Sequence, residues 1–543
     1  MNYNSKKLNE IFGSNLFIIL IFGILSIFSG VYLIKSQVFG FTWDIHFHWQ
    51  RIQEIKESFG TQSFFSDVAL NQFHQSGSAV MALYPKINII PMAIISLFFK
   101  SFFNVMYVSF ILRNFIGLII SYFACYNFVH NKKLGFLFSV TYTISTTVLA
   151  LSFYVTDIGM TSSLLYLPMV LFGTFELLNN YKWKEISIGL IAISMCHVIT
   201  SIMSILMVCF FLIINLNKLK DNKVIYSLFK SFGSFILVSS TFWLPFSQLM
   251  LHNKIIMPST TPSLVGTDIS NWMFATFNNT PNINLTIFCI IGLLLSIIGY
   301  SRLSGYSKQI FFLSIIMLFT GTPFFPWNFL THTFLISTFQ FTWRIYIIPQ
   351  LLLSYLFAEE VTVLCSRSRE GKRWFLSIIF IVILSQFVGQ KSIIDNGRNR
   401  PINSNSLTTL YADYFPKRSL RDFKQIDNKK VIYDKKETTA RLLGNGRMDF
   451  ELDENTKSLI IPFMIYNDIQ YDVKVDGKKS NFYSSSYGEM MLKNLSKGKH
   501  LIEIVVIRSW YDYLSYILST LGVFSLLYSY IIKLYYKLKN KNH

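Results

Sequence analysis

The densest group of ionisable side chains lies in residues 40–60, GFTWDIHFHWQRIQEIKESFG, where Asp44, His46, His48 and Arg51 fall within eight residues. At helical spacing Asp44, His48 and Arg51 share one face at i, i+4 and i+7, Ile55 extends that stripe, and His46 points elsewhere. Trp43, Phe47 and Trp49 give the helix apolar sides suited to a headgroup layer. The spacing therefore predicts a helix lying on the membrane, turning an acid, an imidazole and a guanidinium toward something polar. The plainer reading is a surface helix whose Asp44 and Arg51 pair with neighbours and are solvated, since exposed ion pairs are common and contribute little.

Ionisable groups at membrane depth are expensive and mark functional candidates. Arg344, in STFQFTWRIY, is the clearest: its guanidinium keeps its proton and presents a fork of donors matched to phosphate. Its plainer reading is an interfacial arginine snorkelling to headgroups. Arg113 lies within an apolar run and reads as structural. Asp157, His197 and Tyr84 complete the set, each with an ordinary counterpart: a turn acid, a packed core histidine, and a helix start at Tyr84-Pro85. An acid and a phosphate-holding arginine on one side of a membrane suit transfer from a lipid-linked phosphate donor. The acid takes a proton from an acceptor hydroxyl or holds a metal, and the arginine stabilises charge on the departing phosphate. No glycine-rich nucleotide loop, HExxH or nucleophile elbow occurs.

The elements that must position these groups are membrane spans. Of 543 residues, 52% are hydrophobic and only 14% charged, well below the quarter typical of soluble chains. Apolar runs recur near the roughly 20 residues a bilayer core requires, which makes this a polytopic membrane protein. The net charge of +20 sits largely in short connectors between runs, the pattern of cytoplasmic loops and not of a nucleic-acid surface. The five cysteines lie in or beside apolar runs and show no metal-ligand spacing. The first run, residues 11–34, is too long for a signal-peptide core and is expected to remain as an anchor.

Lys6 and Lys7 place the N-terminus in the cytoplasm by the positive-inside rule, so residues 35–82 form a large outer loop. Residues 83–103, broken by Pro85 and Pro91, read as a re-entrant or interfacial piece, although whether they cross is left open by the sequence. Residues 186–216 suit two short helices turning near His197 and Thr200. Two further outer loops are expected at 257–281 and 324–337. The count is about 12 spans in a membrane domain over residues 1–390. Residues 391–510 change character: SLIIPFMIY, DVKVDG, EMMLKNL and HLIEIVVI read as strands separated by Asp476-Gly477 and Lys497-Gly498, a small extracytoplasmic β-sandwich from about residue 440. Residues 511–543 form a last span and a basic cytoplasmic tail.

The run WDIHFHWQRI, then ALYP, CHVITS, TPFFPW with FQFTWRIY, and ADYFP before a β-domain containing VDGK, resembles bacterial YfhO-type membrane proteins and the related group labelled 6-pyruvoyl-tetrahydropterin synthase-related. An acid just after the first span is also the signature of the GT-C class of membrane glycosyltransferases. The resemblance implies a mostly α, polytopic GT-C fold that moves a sugar from a polyprenyl-phosphate donor to teichoic acid or another envelope glycan at the outer leaflet of a bacterial plasma membrane. It implies Asp44 as the first-loop acid, acting as base or metal ligand, with His48 and Arg51 as helper groups and Arg344 as the phosphate clamp. Where a DxD pair would carry its second acid stands His46. A divalent cation is therefore an open question, any site resting on Asp44, with Asp157 as a possible second acid. The rival reading is a lipid-linked oligosaccharide transporter, or an assembly factor without chemistry of its own. A flippase would carry charge along its spans toward both faces, whereas here the groups cluster on one side. A β-domain that binds a carbohydrate polymer is compatible with either.

Overall fold

The computed structural model describes residues 14–40, 44–258, 263–282, 284–330, 333, 339–399, 402 and 407–539. Lys6, Lys7, Trp43 and parts of the expected loops 257–281 and 324–337 lie outside the described residues. The chain is mostly helical and forms two compact units, each discontinuous in sequence.

The helical unit comprises residues 1–44, 99–235 and 260–402. Among the described residues of the whole chain, seven helices are long and apolar enough to cross a membrane: Asn15–Ser36, Phe102–Val129, Lys132–Val155, Ile158–Asn180, Asn222–His252, Thr342–Arg367 and Gly371–Asn399. The dozen spans expected are not confirmed by this set, and several apolar runs fold as shorter helices. Lys184–Ser194, Val198–Ile214, Ile287–Ile298 and Gly305–Gly321 have 11, 17, 12 and 17 residues. At 1.5 Å per residue, each is less than the roughly 30 Å of a bilayer core. The pair expected around His197 is present, broken at Met195–His197. Within residues 83–103 the apolar helix Ile87–Phe98 is likewise short.

The core of this unit includes buried polar side chains. Gln350 Oε1 meets Thr147 Oγ1 at 3.2 Å, the Thr286 amide at 3.3 Å and Cys289 Sγ at 3.2 Å, while its Nε2 donates to Ser354 at 3.2 Å. With every amide atom engaged, Gln350 ties three segments together through directional bonds that apolar packing in lipid does not supply.

The second unit comprises residues 45–98, 236–259 and 403–543. Its strands are β1 Lys430–Tyr433, β2 Lys436–Thr439, β3 Arg441–Gly444, β4 Arg447–Leu452, β5 Thr456–Met464, β6 Gln470–Val475, β7 Lys478–Lys479, β8 Tyr483–Ser484, β9 Glu489–Leu495 and β10 Gly498–Ile507. They pair antiparallel in two sheets, ordered β2-β1-β5-β9-β8 and β3-β4-β10-β6-β7. The β6–β7 hairpin turns at Asp476-Gly477, both at positive φ (53° and 78°), the geometry that selects Asp-Gly. Inward residues alternate with exposed ones, as in β4 and β6, and Phe463 packs edge-on against Tyr471 across the sheets at 5.9 Å.

The first loop is bound into this unit. Glu54, on the helix Ile45–Ser58, accepts from the backbone N–H groups of Leu70, Asn71 and Gln72 at 2.9, 2.9 and 2.7 Å, and Gln50 accepts from Phe73 N–H at 3.1 Å. The loop then docks on the sheets through Met464 N to Ser76 O at 2.7 Å and Gly446 N to Leu70 O at 2.9 Å. Gly77 (φ 73°) is required there, since a Cβ would stand 2.8 Å from Met464 O.

Candidate functional site

Asp44 is not on the helix that follows it. That helix begins at Ile45, and the Asp44 amide donates to Val155 O at 3.2 Å in the helical unit, leaving Asp44 half-buried. Val155 ends the π-helical turn Leu151–Val155, and such turns are rare and cluster at functional sites. The turn is held from its side by Arg113, whose Nη2 donates to Ser152 Oγ at 2.6 Å, and it closes with Thr156 in the left-handed region (φ 64°). The next residue is Asp157.

Asp157 caps the helix Ile158–Leu164, Oδ1 accepting from Met160 N at 2.8 Å. Its Oδ2 lies 3.7 Å from Nε2 of His197, which caps Val198–Ile214. The His197 Nδ1 accepts from Thr200 N at 3.3 Å and contacts Thr200 Oγ1 at 2.9 Å. Accepting at Nδ1 puts the proton of the neutral ring on Nε2, facing the carboxylate. Two helix starts are thus joined by an acid and an imidazole that each also serve as a cap. Gly159 permits the approach: a Cβ there would stand 2.9 Å from Cys196 O.

Arg344 belongs to the same electrostatic neighbourhood, its charge acting on the His197 ring. It sits in the 3-10 turn Thr342–Tyr346 and is 7% exposed. Its Nη1 donates to Phe339 O at 3.0 Å and Gln340 Oε1 at 2.8 Å, and the guanidinium carbon lies 5.5 Å from the Phe341 ring centre and 5.7 Å from that of Trp343. All these partners are neutral. Among the described residues no carboxylate pairs with Arg344, and its Nε makes no hydrogen bond. Two more buried N–H donors nearby, Trp343 Nε1 and Trp272 Nε1, find no acceptor among the described residues either; Trp272 stacks on Tyr346 of the same turn at 5.7 Å. A buried cation facing neutral groups and surplus donors is an arrangement that favours an anion.

The structure therefore pairs Asp157 with His197, sets Arg344 within electrostatic reach of that ring, and ties the Asp44 backbone to the turn that leads into Asp157. It groups His48, Arg51 and Tyr84 separately, in the second unit. Here the expected outward-facing helix is corrected: the His48 and Arg51 face is turned inward. Arg51 is fully buried, with Nη2 donating to Pro85 O at 2.7 Å, Nη1 3.3 Å from His48 Nδ1, and the guanidinium over the rings of Tyr84 at 5.0 Å and Phe47 at 5.5 Å. The Tyr84 hydroxyl lies 3.3 Å from that of Tyr414, within ADYFP, and burial pushes the neighbouring Asp413 carboxyl up. The physical reason is that Ile45, Ile52 and Ile55 are buried on the same helix, so the charged stripe goes in with them and finds partners inside. The π-helical turn and the Arg113–Ser152 bond were not foreseen; the isolated arginine in an apolar run was their one sequence signal.

Among the described residues no three His, Cys, Asp or Glu side chains gather as metal ligands. No protein-family model matches the chain, and no curated protein matches it.

Proposed function

We propose that the chain is a membrane glycosyltransferase of the GT-C type, moving a sugar from a polyprenyl-phosphate donor to a hydroxyl of an envelope glycan such as teichoic acid at the outer leaflet. The observation that carries the reading is Arg344: a buried guanidinium without an acidic partner among the described residues, within electrostatic reach of His197. In this scheme the donor phosphate lies against Arg344 and the free indole N–H groups. The acceptor oxygen attacks the anomeric carbon, its proton passes to Asp44, and the bond from that carbon to the phosphate oxygen breaks with its electron pair leaving on the phosphate. Arg344 stabilises the charge that develops there. Asp157 and His197 are positioning residues, both engaged as caps and set to hold the turn that carries Asp44. His48, Arg51 and Tyr84 shape the segment that follows Asp44 and make no contact with the reacting atoms in this scheme. No step is routed through a metal.

Replacing Asp44→Asn in the producing cell is the test. The expected result is a changed envelope glycan with the protein still present in the membrane at normal abundance. A normal glycan with normal abundance overturns the assignment of Asp44. Accumulation of lipid-linked saccharide on the inner side of the membrane, with transfer intact, would instead indicate a transporter.

A further inference from the structure

The turn that joins the helices Thr342–Arg367 and Gly371–Asn399, both within the helical unit and both long and apolar enough to span, is strongly basic. Residues 367–373, RSREGKR, hold Arg367, Arg369, Lys372 and Arg373 against one acid, Glu370, which pairs with Arg373 at 2.8 Å. A further cation stands at its side: Lys133, exposed at the start of the helix Lys132–Val155, is close enough for its charge to act on Cys365. The turn is fixed by its own backbone. Gly371 N donates to Ser368 O at 3.0 Å and Arg373 N to Glu370 O at 2.9 Å, and a Cβ at Gly371 would collide with Cys365 O. Arg367 and Arg369 are exposed and, among the described residues, make no hydrogen bond or ion pair.

The helix that follows continues from this cationic head as an apolar lane. Arg373, Leu376, Phe380 and Leu384 fall at i, i+3, i+7 and i+11, so they share one face, and all four are exposed. At 1.5 Å per residue Leu384 lies about 16 Å along the axis from Arg373, the depth of one leaflet in a bilayer core of roughly 30 Å. Trp374, exposed beside Arg373, is the amphipathic kind of ring that settles at headgroup level. A cationic head over an apolar lane of leaflet depth has the shape and polarity of a single phospholipid. Charge selects among headgroups: a turn with four cations and one acid attracts a net negative one, and exposed guanidinium forks match phosphate oxygens. A water-soluble phosphate would leave the lane bare.

We propose that this surface docks a phospholipid of net negative charge, its phosphate on Arg367, Arg369 and Arg373 and an acyl chain along Leu376, Phe380 and Leu384. The proposal is independent of the transferase reading, which uses none of these residues. The test places the full chain in nanodiscs of equal phosphatidylglycerol and phosphatidylcholine and counts the lipids it retains by native mass spectrometry, with glycerol phosphate added as a chainless headgroup probe. The expected result is a preference for phosphatidylglycerol that falls about fivefold for each of Arg367→Gln, Arg369→Gln and Arg373→Gln. Lys474→Gln, Lys478→Gln and Lys497→Gln, at exposed positions of the β-containing unit, should leave that preference unchanged. Phe380→Ala should lower retention of both lipids alike. Equal retention of the two lipids by the wild type, an undiminished preference in the arginine variants, or an equal fall in the lysine variants would overturn the proposal. So would unchanged retention in Phe380→Ala, or displacement of phosphatidylglycerol by glycerol phosphate.

Discussion

Arg51→Met should destabilise the β-containing unit. Methionine keeps an apolar stem of similar reach but removes the guanidinium. That leaves the Pro85 carbonyl, now bound at 2.7 Å, buried without its donor, for about 1–3 kcal/mol. It also removes the contact with His48 and the stacking on Tyr84 and Phe47, the rings adding about 0.5–1 kcal/mol each. Against this stands relief from keeping a cation out of water, which amounts to several kcal/mol for a buried ion. That relief offsets most of these losses, and the Pro85 carbonyl left without its donor sets a net loss of about 1 kcal/mol. For a unit of this size that lowers Tm by about 2–4 °C, measurable by thermal unfolding of the full chain in detergent. Arg51→Lys should not rescue it, since one ammonium does not reproduce the fork. Unchanged or raised stability in Arg51→Met, or full rescue by lysine, would refute the structural role and return Arg51 to the ligand-binding candidates.

Three other outcomes follow from the same physics. Glu54→Gln replaces one of two accepting oxygens with a donor facing the amides of residues 70–72, so limited proteolysis should cut that loop faster, with about 2–4 kcal/mol lost; wild-type resistance would contradict this. Burial, reinforced by Asp422, pushes the Glu489 carboxyl up to about 7, above its usual 4.5. The folded state therefore holds this proton more tightly than the unfolded chain, so stability is greatest below about pH 4.5 for this group and is lost as pH rises toward 7. Glu489→Gln should flatten that slope in pH-dependent unfolding, and an unaltered slope would contradict the assignment. His197→Gln and Asp157→Asn should lower kcat with little change in donor KM, as positioning residues do, whereas Arg344→Lys should raise donor KM; the reverse split would exchange their roles.

Much of the architecture was legible. The strands followed from alternation and from Asp476-Gly477, and the break at Met195–His197 followed from a run too long for one short helix. The orientation of the Ile45–Ser58 helix was not read correctly, although Ile55 on the charged stripe carried the information: an isoleucine in line with an arginine favours an inward face. Nor does local pattern reveal that residues 45–98 group with strands beyond residue 430, because the bonds that join them, Glu54 to the loop and the loop to Met464 and Gly446, are set by tertiary contact. At the candidate site the residue types were readable singly, Arg344 and Asp157 among them. Their convergence was not, since it depends on the π-helical turn that places Asp157 next to the segment bound by Asp44.

The most direct measurement is release of polyprenyl phosphate by the purified full chain in nanodiscs, supplied with a radiolabelled polyprenyl-phosphate hexose and a glycan acceptor. The account predicts release coupled to labelling of the acceptor, reduced by about 10²-fold or more in Asp44→Asn and lost with weakened donor binding in Arg344→Gln. Release that proceeds at the wild-type rate in both variants would contradict it.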